Sequence, residues 1–107
     1  NHEHVTPFKA IYDRGSIVAI DQSEREKYVN HLMSFLEPGG RLLLITLEYD
    51  QKQMLGPPFS VEFHEIEMLL APFGMLELLE TNDIIDDRLR NKGLDEILER
   101  VFLLVKN

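Results

Sequence analysis

A mostly apolar run, Arg41–Leu47, which has no charged residue after its first, most constrains how this chain can fold. Five of its seven residues are apolar, and Pro38–Gly40 directly before it is typical of a helix end. A continuous apolar strand predicts a parallel sheet covered on both faces, because neither set of alternate side chains then meets water. Glu48–Asp50 follows the run. We therefore expect a buried strand whose C-terminal end carries polar groups.

The residues before this strand predict a further strand and a helix. Phe8–Arg14 is a mostly apolar run that predicts a strand, whereas Ser16–Ile20 is too short to assign by its period. Apolar residues at helical spacing predict a helix over 23–37. Ser23 and Glu26 are spaced as a capping box at its start.

The residues after the strand predict a stiff loop and three further elements. Two prolines stiffen the loop over 51–60, and an apolar stripe predicts a helix over 60–73. Met75–Glu80 and Arg100–Lys106 are predicted strands. Between them we expect a short helix that is broken at Gly93.

The order of these elements predicts the fold class. Strands alternate with helices up to the third strand, which favours an α/β fold with a parallel core. No complete crossover helix separates the last two strands, so we expect them to pair antiparallel. No repeat or linker divides the chain, and we treat residues 1–107 as a single domain.

Charge and cysteine content exclude several function classes. The chain has 11 Lys and Arg against 19 Asp and Glu, a formal net charge of −8. This charge disfavours nucleic acids and anionic membrane surfaces as partners. The absence of cysteine excludes disulfides, zinc–thiolate sites and a cysteine nucleophile. With a polar start that matches no targeting signal, we expect a cytoplasmic location.

Several short motifs stand in register with those of one enzyme family. The matching segments are Asp13–Ile20, Leu47–Asp50, Gly56–Val61, His64–Glu67, Asp87–Arg88 and Val101–Lys106. Together they resemble the thiopurine S-methyltransferase family over residues 8–107. Each motif alone is weakly specific for the family. The motifs together, at this spacing between predicted strands, are more specific.

The resemblance implies only the rear half of that family's fold. Its members are class I methyltransferases with a seven-stranded, doubly wound, Rossmann-like sheet that use S-adenosylmethionine. The cofactor lies mainly on the front half, at a glycine-rich turn after the first strand. This chain has no Gly-x-Gly, and Gly39–Gly40 precedes a strand. The resemblance thus implies strands in the order 4-5-7-6, the last antiparallel, with covering helices.

Two candidate residues lie at the end of the first predicted strand. The resemblance places Arg14 and Asp13 in the cofactor region, where ligands bind in doubly wound sheets. A salt bridge from Arg14 to Asp13 or Asp50 is the structural alternative. For Asp13 we favour a role in capping the turn at Gly15.

The resemblance places four more residues near the substrate. Pro57, Pro58 and Phe59 would form the pocket wall, with Phe59 as an apolar plate for a flat ring. Arg88 would be a second arginine beside the substrate. The alternatives are a rigid connector with a core Phe59, and a solvated Arg88. We assign no catalytic residue.

No metal site is predicted. The segment His64–Met68 lacks the second histidine of the His-Glu-x-x-His zinc motif. His2 and His4 could chelate a metal only weakly. The mixed charge runs Glu24–Lys27 and Asp86–Arg90 are interpreted as solvated faces.

Three functions remain open at this point. The chain could be an S-adenosylmethionine-dependent methyltransferase of aromatic or heterocyclic thiols, acting as an assembly. It could be a truncated protein that is inactive alone because the cofactor-binding half is absent. It could also be half of a split enzyme that a second chain completes.

The predicted sheet has an exposed edge strand, to which another chain could bind. Strand Phe8–Arg14 would normally pair with a strand of the front half, and free apolar edges recruit other chains. We therefore expect a homo-oligomer through this strand, or association with a missing N-terminal half. The alternative is that the polar arm 2–7 covers the edge.

Overall fold

A four-stranded sheet is the centre of the computed structural model, which describes residues 7–107. Its strands are β1 (Phe8–Arg14), β2 (Leu36–Glu48), β3 (Gly74–Asp83) and β4 (Leu98–Lys106). The spatial order is β1-β2-β4-β3. β1 is parallel to β2, while β4 is antiparallel to both of its neighbours. This confirms the predicted half sheet and its antiparallel last strand.

Within residues 7–107, three α-helices connect the strands: α1 (Gln22–Ser34), α2 (Phe63–Leu70) and α3 (Asp87–Asn91). α1 ends before the predicted residue 37, since β2 already begins at Leu36. The glycines expected to end the helix instead form the irregular start of β2, where Gly39 has a φ of +80°. α2 is shorter than predicted, and its last residues form a 3₁₀ turn at Ala71–Phe73.

The predicted capping box at Ser23 is wrong. α1 begins one residue earlier, so Ser23 lies inside the helix, and Asp21 is the N-cap. The backbone N–H and the hydroxyl of Ser23 both donate to Asp21 Oδ2, at 3.1 and 2.6 Å. The unassigned run Ser16–Ile20 contains a 3₁₀ turn that buries Ile17 and Val18.

The main core lies between one face of the sheet and the helices α1 and α2. The sheet contributes Leu42 and Leu44 from β2 and Phe102 and Leu104 from β4. The helices contribute Val29, Met33, Ile66 and Leu70 to the same cluster. These side chains alternate along each strand, as expected for residues that share one face.

α1 and α2 cover only one face of the sheet. No helix of residues 7–107 covers the opposite face to the same extent. We call it the open face, and it presents Tyr12, Leu43, Ile45, Met75, Val101 and Leu103. None of these six belongs to either buried cluster, and Met75 is 76% exposed. The expectation of a strand covered on both faces is therefore wrong for β2 in this structure.

A second, smaller core lies at the C-terminal end of β2. Tyr49, Leu89, Leu94 and Ile97 are buried together there, and Leu47 packs against them. α3 supplies Leu89, and Gly93 with a φ of +105° ends the segment, as the predicted break implies. No helix in the described part of the chain is both long and apolar enough to cross a membrane.

Replacing Asp21 with Ala tests the N-cap. The hydrogen bonds from Ser23 hold the pKa of the Asp21 carboxyl below its usual value, so the cap is charged at neutral pH. We expect Asp21→Ala to lower the urea midpoint of unfolding at pH 7. A carboxyl whose pKa is lower in the folded state stabilises the fold only while it is charged. The difference in stability between wild type and Asp21→Ala should therefore shrink as the pH falls from the usual Asp value through the lowered pKa of Asp21. An equal loss from the control Glu26→Ala would contradict the assignment.

Candidate functional site

An open cleft of about 530 Å³ lies beside the sheet edge at which β1 and β2 both end. Ligands bind at this edge in doubly wound sheets. The cleft is bounded by the start of α1, the residues after β2, the loop before α2 and the start of α2. Its walls include Asp21, Arg25, Tyr49, Gln51, Phe59 and Glu65.

A buried guanidinium, that of Arg25, joins three of these walls. Nη1 donates to both oxygens of Glu65 on α2, at 2.8 and 3.0 Å. Nη2 donates to the carbonyl oxygen of Ser60 at 3.3 Å, and Nε donates to that of Ile20 at 3.2 Å. Arg25 is 3% exposed, so the interpretation of Glu24–Lys27 as a solvated face is wrong at this residue.

Tyr49 and Gln51 order the loop from within. The Tyr49 hydroxyl donates to the Pro58 carbonyl at 2.5 Å and accepts from Gln51 Nε2 at 2.9 Å. Gln51 Oε1 accepts from the backbone N–H of Ser60, at 2.8 Å, so one amide group bridges both sides of the loop. Burial raises the pKa of Tyr49, which therefore stays protonated and able to donate at neutral pH.

The loop turns sharply at Gly56. Its φ is +88°, and a Cβ placed there would lie 2.7 Å from Phe59 Cδ1. The backbone N–H of Phe59 donates to the Val18 carbonyl at 2.6 Å, which fastens the loop to the 3₁₀ turn. Phe59 is half-buried and lines the cleft, whereas Pro57 and Pro58 are exposed outside its lining.

Asp13 caps a turn, which is the role that the sequence analysis favoured for it. It is 3% exposed, and its Oδ1 accepts from the Ser16 backbone N–H at 3.1 Å. Its Oδ2 accepts from the Tyr28 hydroxyl at 2.7 Å. Burial, reinforced by this carboxylate, raises the pKa of Tyr28. Asp13 is thus buried and hydrogen-bonded within the protein, and it does not line the cleft.

The two candidate arginines lie outside the cleft. Arg14 is exposed at the end of β1, and Arg88 is exposed on α3. Among residues 7–107 neither makes an ion pair or a side-chain hydrogen bond, so the alternative for Arg14, a salt bridge to Asp13 or Asp50, is not formed. Of the six predicted site residues, the cleft thus gathers only Phe59.

Sequence reasoning missed Arg25, Tyr49 and Gln51. A partial signal existed for Tyr49 and Gln51, since they directly follow an apolar strand, where the C-terminal end predicts a site. Arg25 gave no such signal. Its partner Glu65 stands 40 residues away, and its neighbours in sequence are charged and exposed.

The cleft combines an apolar wall with an acidic rim. Phe59 and Leu55 supply apolar surface, while Asp21, Asp50 and Glu62 lie on the rim. Arg25 is already paired with Glu65, which leaves Lys52 as the other cation of the lining. Such a rim favours a flat, neutral or positively charged molecule over an anion.

The fold defines a class of protein. The structure is similar to an arsenic(III) S-adenosylmethionine methyltransferase from Chlamydomonas reinhardtii, with a TM-score of 0.68 and 16% identity over 92% of this chain and 38% of that one. It is also similar to 1,6-didemethyltoxoflavin-N1-methyltransferase from Burkholderia thailandensis, with a TM-score of 0.59 and 18% identity over 94% of this chain and 44% of that one. The fold is therefore part of the Rossmann-like fold of class I methyltransferases.

Sequence comparison identifies the family within this class. The model of the Thiopurine S-methyltransferase (TPMT) family matches residues 1–107, so the chain belongs to that family. The thiopurine S-methyltransferase of Vibrio atlanticus (strain LGP32) is 44% identical over 103 residues, which are 94% of this chain and 46% of that protein. The bovine (Bos taurus) thiopurine S-methyltransferase is 34% identical over 103 residues, covering 96% and 42%. The chain thus spans about half the length of these relatives.

Few of the described residues are suited to hold S-adenosylmethionine. The sequence offers no glycine-rich turn for it, and both Asp13 oxygens are occupied within the protein. Arg14, which has no ion-pair partner among residues 7–107, is suited to the carboxylate of that molecule but not to its sulfonium. No three metal-ligating side chains cluster within residues 7–107, and His2 and His4 lie outside that range.

Breaking the Arg25–Glu65 pair tests the buried connection between α1 and α2. We expect Arg25→Met to lower the free energy of unfolding by about 3–5 kcal/mol, because a partly buried carboxylate loses its partner. Arg90→Met is the matched control, since the Arg90–Asp87 pair is exposed and should cost less than about 1 kcal/mol. Urea unfolding measures both. Similar losses in the two variants would contradict a structural role specific to Arg25.

Replacing Gly56 with Ala tests the packing of Phe59 in the loop. Gly15 has a similar φ of +93° but nothing within 4 Å of its Cβ position, so Gly15→Ala reports backbone strain alone. We expect Gly15→Ala to cost about 1 kcal/mol of unfolding free energy. Gly56→Ala should cost at least about 1 kcal/mol more, because its methyl group collides with the ring. Equal costs would mean that Phe59 moves freely away from Gly56.

Proposed function

We propose that this chain supplies the substrate side of an S-adenosylmethionine-dependent S-methyltransferase, and that it does not transfer methyl groups alone. The observation that carries the proposal is the cleft beside Phe59, which lies at the strand ends of the sheet. The chain itself spans about half the length of its relatives. The substrate class is an aromatic or heterocyclic thiol. The half that holds the cofactor comes from a separate or connected polypeptide.

The chemistry of methyl transfer agrees with the residues of the cleft. Transfer from a sulfonium to sulfur is an in-line displacement, and an aromatic thiol ionises readily. The protein therefore needs to align the two reactants more than it needs a strong base. Phe59 provides a flat surface for the ring, and the acidic rim gives a field that tolerates a positive donor.

The stiffness of the loop supports a positioning role. Phe59 is held by the Val18 carbonyl, and the Pro58 carbonyl is held by Tyr49. Arg25 donates to the carbonyl of Ser60, the residue after Phe59. Alignment in a displacement reaction depends on such preorganised surfaces, since small misplacements lower the rate strongly.

A chimera tests the proposal. The front half of the Vibrio atlanticus relative is fused to residues 1–107 in place of its own rear half, and methylation of thiophenol is measured. We expect the chain alone to show no binding of S-adenosylmethionine by calorimetry and no turnover, whereas the chimera shows both. In the chimera, Phe59→Ala should raise KM for the thiol and leave cofactor affinity unchanged.

The controls separate folding from function. Phe8→Ala, at an exposed position far along β1 from the cleft, serves as the matched aromatic control and should leave KM unchanged. A folded chimera that binds the cofactor but does not methylate thiols would contradict the substrate class. Turnover by the 107-residue chain alone would contradict the proposed division between two halves.

A further inference from the structure

The loop that carries Phe59 is fastened to a distant segment of the chain by one side-chain amide. Gln53 Nε2 donates to Asp95 Oδ2 at 2.9 Å, and Gln53 Oε1 accepts from the backbone N–H of Asp95 at 3.1 Å. The two residues are 42 positions apart in the sequence, and Asp95 lies between α3 and β4. We call this pair of hydrogen bonds the clasp.

The two backbones also approach each other closely at the clasp. The carbonyl oxygen of Gln53 would lie 3.0 Å from a Cβ placed at Gly93, whose φ is +105°. On its own side Gln53 is held by a turn, since its backbone N–H donates to the Asp50 carbonyl at 2.8 Å. The absence of a side chain at Gly93 thus lets the loop come within hydrogen-bond reach of the segment between α3 and β4.

No regular secondary structure joins the loop to this segment. Residues 51–60 contain neither helix nor strand, and the same holds for residues 94–97. A hollow of about 330 Å³ lies beside the clasp and is lined by both of its residues and by Tyr49. Met54 packs against the smaller core, while the clasp supplies directional contacts that fix where the loop begins.

The same loop forms a wall of the cleft. Leu55 is 85% exposed, and it lines the cleft together with Phe59. Gln51 Nε2 donates to the carbonyls of Met54 and Leu55 at 2.7 and 3.1 Å, so the residues that follow Gln53 are held as one unit. A displacement of Gln53 would therefore be passed on to the apolar wall.

We propose that Gln53 and Asp95 are positioning residues of the cleft. Their clasp holds the loop against the segment between α3 and β4, and so keeps the apolar wall in the conformation that accepts a flat thiol. Asp95 does not line the cleft and neither does Gln53, so both act through the loop. The inference rests on the proposed function, because it assigns a role in binding the same substrate class.

The clasp should affect substrate binding more than stability. Asp95 is exposed and Gln53 half-buried, and the net contribution of such hydrogen bonds to overall stability is small. A loop freed from the clasp samples further conformations, and the apparent affinity for the thiol falls with the fraction of molecules that stay competent to bind. We therefore expect a higher KM, with kcat and the affinity for S-adenosylmethionine unchanged.

Exchanging the donor and the acceptor tests the clasp in the chimera. Gln53→Leu removes both hydrogen bonds without a change of charge, and it should raise KM for thiophenol at least about threefold. Gln53→Glu should also raise KM, since it sets two carboxylates against each other. Adding Asp95→Asn to Gln53→Glu should restore KM, because the introduced amide donates to the introduced carboxylate.

A conservative variant and a neighbouring residue provide the comparison. Asp95→Ala should raise KM, whereas Asp95→Asn alone keeps an acceptor for Gln53 Nε2 and should not. Glu96→Ala is the matched control, since Glu96 is exposed beside Asp95 and makes no ion pair within residues 7–107. It should leave KM unchanged. Urea unfolding checks that every variant is folded.

Trypsin reports on the clasp without any turnover. Lys52 is exposed directly before Gln53, and exposed loops are cleaved where they open locally. In the 107-residue chain we expect Gln53→Leu to speed cleavage after Lys52 at least about threefold, followed by the masses of the fragments. Glu96→Ala should not change the rate.

The outcomes separate this inference from the proposed function. Equal cleavage rates in wild type and Gln53→Leu overturn the clasp, whatever the activity. Faster cleavage with an unchanged KM overturns the positioning role, since the contact is then only structural. A wild-type chimera that binds the cofactor but does not methylate thiols contradicts the proposed function and with it the role in thiol binding, whereas faster cleavage of Gln53→Leu still confirms that the clasp holds the loop.

Discussion

The cleft depends on one buried cation. Arg25 donates to α2, to the Ser60 carbonyl and to the Ile20 carbonyl, so it joins α1, the loop before α2 and α2, which are three of the four segments that bound the cleft. A buried guanidinium without partners is strongly destabilising, which couples the position of α1 to that of the loop. Every buried side-chain polar atom among the described residues has a hydrogen-bond partner, and at the cleft most of these bonds cross between segments.

How much the sequence predicts follows from the range of each interaction. The strands could be predicted because apolar runs between turn residues are local signals, and the antiparallel last pair because no complete crossover helix precedes the last strand. The spatial order of the strands came from the resemblance to the family. Arg25 could not be predicted, since its burial is decided by Glu65, 40 residues later. The cap at Asp21 was missed for the opposite reason, because a shift of one residue at the helix start changes which side chain can accept.

The candidate site shows the same limit. Phe59 was predicted from its motif and does line the cleft, while Arg14 and Arg88 share motifs with the family but lie outside the lining. A motif identifies residues that act together in the whole fold, whereas the cleft contains only those that this half brings together. The roles of Arg14, Arg88, Pro57 and Pro58 in a complete site stay predictions.

The apolar run of β2 connects the fold to its partners. Leu42 and Leu44 face the helices, whereas Leu43 and Ile45 face the open side, yet both sets are equally apolar. Strand residues exposed to water are ordinarily polar, so this composition indicates a face that is buried when the protein functions. Arg14 lies at both places, at the strand end beside the cleft and at the margin of the open face. The predicted role of Arg14 at a ligand therefore depends on what covers that face.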